Sequence, residues 1–155
     1  MLLDKEPRAG VVMDGTVEAG PGAVRRRILV AGASHTIEAV TEAVGDAAEI
    51  VAARSVAEAL LSIQGPVDIV VCDVRFDDSR MFDFLLQLKE RPPDPACRVV
   101  CVRTSGPKLS SNLHKAIAQA LEALGVELFV DLHQVALDHG KEAARETLRR
   151  VVLGE

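Results

Sequence analysis

Residues 67–88, VDIVVCDVRFDDSRMFDFLLQL, constrain the fold more than any other stretch of the chain. Positions 67–72 are apolar except for Asp68, and most are β-branched. A short run without alternation fits a strand buried on both faces, as in a parallel sheet flanked by helices. The run ends at Asp73, crosses a polar loop and enters a helical pattern in which Met81, Phe82, Phe84, Leu85 and Leu88 are the apolar positions. In open α/β sheets, ligands and reactive groups collect beyond the carboxyl ends of the strands. Asp73 is therefore the first candidate for chemistry.

The flanking sequence repeats the strand-then-helix order. RILVA (27–31) reads as a first strand, and Ile37, Val40 and Val44 then share one helical face that Gly45 closes. A second strand is expected over 49–53. Ser55 opens a helix with a capping box in which its hydroxyl accepts from the Glu58 N–H while Glu58 reaches back. Val56, Ala59, Leu60 and Ile63 form its buried stripe, and Gly65-Pro66 ends it. After the central strand and its helix, RPPDPA (91–96) reads as a loop and RVVCV (98–102) as a fourth strand. The loop RTSGPK leads to a helix striped by Leu113, Ile117, Ala120, Leu121 and Leu124 and closed by Gly125. VELFV (126–130) is the fifth strand. A single last helix is expected over about 136–152, with Ala144, Leu148, Val151 and Val152 inward and Arg145, Arg149 and Arg150 outward. Five strands alternating with five helices predict a parallel sheet covered on both faces, with right-handed crossovers. Residues 1–24 carry scattered Gly, Pro and acids without a period and read as a flexible tail, leaving 25–155 as the folded domain.

Composition narrows the function classes. The chain has 155 residues, enough for one domain, and no Trp or Tyr, so its core must be aliphatic. A net charge of −5 argues against a nucleic-acid module, which usually carries a basic face. The longest apolar runs are about five residues, far short of a membrane span, and the acids in MLLDKEPRAG do not suit a signal peptide. A cytoplasmic location is expected. Cys72, Cys97 and Cys101 lie in apolar runs without a CxxC pair and read as buried thiols.

Several loops invite chemical readings. The turn after the first strand, VAGASHTIEAV, is similar to a dinucleotide-binding turn, but Gly32 stands alone there. Ser34, Thr36 and Glu38 occupy the positions of the further glycines, and Glu38 repels phosphate. A tight strand-to-helix turn is the better reading. DLHQVA, from Asp131, is similar to a cobalamin-domain run, but it follows the last strand and has Ala136 where Gly belongs. His133 and His139 have no third ligand at zinc spacing. Asp73, Asp77, Asp78 and Asp131 would hold a divalent cation if they converged at one sheet edge. Otherwise Asp73 caps a loop and Asp77 and Asp78 are solvated turn residues.

With these residues in view, the segment 26–153 resembles a response-regulator receiver domain. The resemblance implies a flavodoxin-like (βα)5 doubly wound sheet of order 2-1-3-4-5. It also implies Asp73 as phospho-acceptor, Mg²⁺ held by two acids after strand one, a Lys after strand five and a Ser/Thr after strand four. Here Gly32 and Ala33 fall at the acidic pair, Leu132 at the Lys and His133 at the following Pro. Arg103, or Thr104 with a one-residue slip, falls at the Ser/Thr, Met81 at a loop Gly, and Phe129 at the switch aromatic. The chain is thus similar to atypical pseudo-receivers that lack the acidic pair and the Lys.

The implied function is signal transduction by a stand-alone receiver-like domain through protein–protein contact, without enzymatic activity and without a cofactor. The implied partner is a histidine kinase, a downstream signalling protein or a second copy. The implied face is the fourth helix, fifth strand and fifth helix, with Lys115, Gln119, Glu122, Glu127, Arg145, Arg149 and Arg150. Neither nucleic acid nor membrane is an expected partner. One alternative is an active phosphorelay receiver phosphorylated on Asp73, with Mg²⁺ in a site rebuilt from Asp73, Asp77 and Asp131 and with Arg103 supplying the missing Lys charge. Another is a nucleotide-binding Rossmann-like module.

Overall fold

A computed structural model describes residues 25–93 and 96–155. The expected tail over 1–24, and Asp94 and Pro95 of the 91–96 loop, lie outside the described residues. Five parallel strands form one sheet of order β2-β1-β3-β4-β5: β1 (Arg26–Ala31), β2 (Ala48–Ala53), β3 (Ile69–Asp73), β4 (Arg98–Arg103) and β5 (Leu128–Asp131). This is the CheY-like flavodoxin fold expected above. Every residue of β3 is buried, which is why its sequence shows no alternation.

The core has two layers, one on each sheet face. On one side, Leu29, Val70, Cys72 and Cys101 meet Phe76, Met81, Phe84 and Leu85; on the other, Ile28, Val30, Val71 and Val102 meet Val40, Val44, Leu148 and Val152. Phe76 and Phe84 pack edge to face, 5.6 Å between centroids.

The helices are α1 (Ser34–Val44), α2 (Val56–Ser62), a short helical turn α3 (Phe76–Ser79), α4 (Met81–Glu90), α5 (Ser111–Ala123), α6 (Leu132–His139) and α7 (Lys141–Leu153), with a 3-10 turn at Gly45–Ala47. Ser55 caps α2 by accepting from the Glu58 N–H, and the Glu58 carboxylate reaches back to the Arg54 N–H at 2.8 Å. Ser110 caps α5 through the Leu113 N–H.

Three expectations need correction. The single last helix is two, α6 and α7, broken at Gly140, whose φ of 96° cannot continue a helix. The buried stripe of α5 is narrower than expected: Leu113 and Ala120 are exposed, Ile117 and Leu124 are partly buried, and Leu121 is buried. Arg149 is half buried and does not simply face outward: its guanidinium donates to the carbonyls of Ala43 and Val44 at the end of α1. A cation at the carboxyl end of α1 also complements the helix dipole. The end of α7 is fastened likewise, Arg98 donating to the carbonyls of Val151 and Val152 and Arg26 to that of Leu153. No helix among the described residues is long and apolar enough to cross a membrane.

Candidate functional site

Asp73 is the last residue of the central strand and is 3% exposed. A carboxylate this deep requires hydrogen-bond donors. It has them: Oδ2 accepts from the Thr36 hydroxyl at 2.5 Å and from the Thr104 hydroxyl at 2.7 Å, while Oδ1 accepts from the Arg75 N–H at 2.8 Å. Asp73 thus joins the start of α1 to the loops that follow β3 and β4.

Local sequence explains each donor. Thr36 sits in the first turn of α1 on the face that continues through Val40, Ala43 and Val44, so it is turned inward and fully buried. Gly32 makes room for it. A Cβ at position 32 would lie 3.0 Å from the Thr36 Cβ and 3.3 Å from the Asp73 Cβ. Thr104 follows β4 directly, and His35 Nε2 lies 3.0 Å from its hydroxyl oxygen. Because the Thr104 proton goes to Asp73, His35 is the donor in that contact.

The other expected site residues lie elsewhere. Arg103 turns away from Asp73. Its Nη1 lies 3.1 and 3.2 Å from the two carboxylate oxygens of Asp131, with both side chains nearly buried, and its Nη2 donates to the Pro107 carbonyl. Of the two, it is Thr104 that reaches Asp73. Asp131 also caps α6 by accepting from the Gln134 N–H at 3.1 Å. Asp77 accepts from the Val56 N–H at 2.9 Å and so holds the start of α2. Asp78 is exposed. Leu132 is buried in the first turn of α6, and Ala33 is exposed just before α1. Phe129 is partly buried, its ring 5.0 Å from that of His114.

The residues present do not fit a Mg²⁺ site. Gly32 and Ala33 bring no side-chain oxygen, and Asp77 and Asp131 are engaged with other partners. Among the described residues no three His, Cys, Asp or Glu side chains converge as a metal would require. At the turn after β1, Thr36 donates to Asp73. Behind the site, Cys72 and Cys101 are register partners on β3 and β4, and burial, followed by the neighbouring Cys101, pushes the Cys72 thiol well above its ordinary pKa.

Thr36 and His35 escaped the sequence reading as site residues. The signal for Thr36 was a hydroxyl in phase with a buried apolar stripe, which implies a buried polar partner.

No protein-family model matches the chain, and no curated protein sequence matches it. Solved structures do. A response regulator from Thermotoga maritima superposes with a TM-score of 0.61 at 16% identity, covering 84% of this chain and 97% of that one. The chemotaxis response regulator CheY4 of Vibrio cholerae gives 0.63 at 17%, over 84% and 98%. The phosphorylated cyanobacterial phytochrome response regulator RcpA gives 0.63 at 15%, over 83% and 91%. The structural neighbours are response-regulator receiver domains, and what this chain shares with them is the fold.

Proposed function

We propose that this chain is a receiver-fold signalling domain that works by contact with a protein partner, and that Asp73 is an internal hydrogen-bond hub instead of a phosphoryl acceptor. The observation that carries the reading is that Thr36, Thr104 and the Arg75 amide all donate to the Asp73 carboxylate. Aspartyl phosphate formation needs a free carboxylate lone pair facing the donor, and cations to neutralise the anion that approaches it. Here three of roughly four acceptor positions are taken, and the nearby Arg103 is committed to Asp131. On this reading the domain is a pseudo-receiver. It catalyses no reaction and uses no Mg²⁺.

Its output is then a contact with a histidine kinase, a downstream signalling protein or a second copy, through α5, β5 and α7. Lys115, Gln119, Glu122, Arg145 and Arg150 are exposed on those helices, while Glu127 is paired with Arg98 at 2.6 Å. The test is NMR titration with beryllofluoride and Mg²⁺, together with labelling by a small phosphodonor. The expected result is no shift around Asp73 and no incorporated phosphate. Mg²⁺-dependent labelling that disappears in Asp73→Asn would overturn the reading.

A further inference from the structure

We infer that Thr36 and Thr104 form a two-hydroxyl latch on Asp73 that closes the carboxylate and couples three segments, the start of α1 and the loops after β3 and β4, so that the three open as a unit. The inference rests on the reading of Asp73 as a hub and adds how that hub is controlled. Both hydroxyls converge on one oxygen, Oδ2, and lie 3.3 Å from each other. Their residues come from positions 68 apart in the chain. The remaining oxygen, Oδ1, holds the Arg75 amide of the loop after β3.

The latch has an inner and an outer end. Thr36 is sealed in by Gly32 and the α1 stripe and has no solvent to turn to. Thr104 is half buried, and its outer neighbour is the exposed His35. His35 and Thr104 stand on the wall of a cleft of about 530 Å³ between α1, α6 and α7, whose floor includes Leu132 and Leu148. Opening therefore starts at Thr104. Once that hydroxyl leaves, a buried carboxylate with one donor fewer draws in water, which competes for Thr36 and for the Arg75 amide as well.

The test combines amide exchange at Arg75 with carbodiimide-driven coupling of glycine ethyl ester to Asp73, read by mass spectrometry against exposed Asp78. In the wild type both are slow. Thr36→Val and Thr104→Val keep side-chain volume and remove one hydroxyl each. Each is expected to speed Arg75 exchange and Asp73 coupling by about tenfold, the scale of one lost hydrogen bond to a charged group.

Arg75 exchange that ignores either threonine overturns the latch. Thr36→Ser, which keeps the hydroxyl, is expected to exchange like the wild type. If Thr36→Val does not fold, Thr104→Val decides alone through the distant Arg75 amide. Phosphodonor labelling of the wild type strikes at the hub reading, whereas Arg75 exchange indifferent to the threonines strikes only at the latch.

Discussion

Gly32 is the residue on which the Asp73 site turns, because its missing Cβ is what lets the Thr36 side chain stand against the carboxylate. Gly32→Ala is expected to destabilise the fold by ~1–3 kcal/mol, the usual cost of forcing an extra methyl into a packed interior, read as a lower urea midpoint at unchanged slope. A neutral result would mean that Thr36 yields readily and is not held in place. A second test concerns Arg103 and Asp131. Removing one partner of a buried pair strands the other charge, so Arg103→Leu is expected to cost ~3–5 kcal/mol. Adding Asp131→Asn neutralises the stranded group and keeps an acceptor for the Gln134 N–H, so the double variant is expected to regain most of that loss. A double variant weaker than the single would refute the pairing. The sequence pointed to Asp73 but left Arg103 and Thr104 interchangeable. Neighbours in a chain point to opposite faces at a strand end, and only the β4–β5 pairing decides which one faces Asp73 and which faces Asp131.

Among the elements, the turn after β3 departs furthest from what its residues prefer. Asp77, Asp78 and Ser79 have φ of 48°, 55° and 67°, three non-glycine residues in the left-handed region in succession. Asp77 has compensation in its bond to the Val56 N–H, which joins this turn to the start of α2. Asp78 is exposed. Asp78→Gly is therefore expected to stabilise the protein by ~1 kcal/mol, because glycine adopts this conformation without a Cβ clash. Thermal melting checks it, and a lowered midpoint would show that the Asp78 side chain contributes more than its backbone strain costs. The sequence marked this segment as a polar loop but not its handedness. Left-handed aspartates are fixed by what anchors the loop at both ends, here Asp73 and α2. The break at Gly140 was hidden for a similar reason. Glycine permits a break but does not require one, and the separate start of α6 depends on the Asp131 cap.

At the scale of the whole molecule, the two-layered core, aliphatic except for the Phe76–Phe84 pair, encloses Cys72 and Cys101 completely. Burial, with Cys101 alongside, raises the Cys72 thiol well above its ordinary value of 9.0, so the folded state keeps this proton where the unfolded chain loses it. The unfolded state then binds fewer protons, and stability falls with rising pH above that ordinary value while being unaffected by this group below it. Urea unfolding at a series of pH values from neutral to alkaline measures the decline, and Cys72→Ala is expected to flatten it. An unchanged slope in that variant would assign the alkaline loss to other groups.

What the sequence determined by itself was the architecture. Burial on both faces of a central strand leaves a run such as 69–72 no pattern except continuous hydrophobicity, and helices on both sides of a sheet announce themselves by their apolar stripes. It also placed Asp73 at the carboxyl edge, because a strand end is a local event. What only the tertiary structure decided was the company Asp73 keeps. Thr36, Thr104 and Arg75 come from the start of α1 and from two different loops, and hydrogen bonds between positions 37 and 31 residues apart depend on how the strands order and register, which no local pattern encodes.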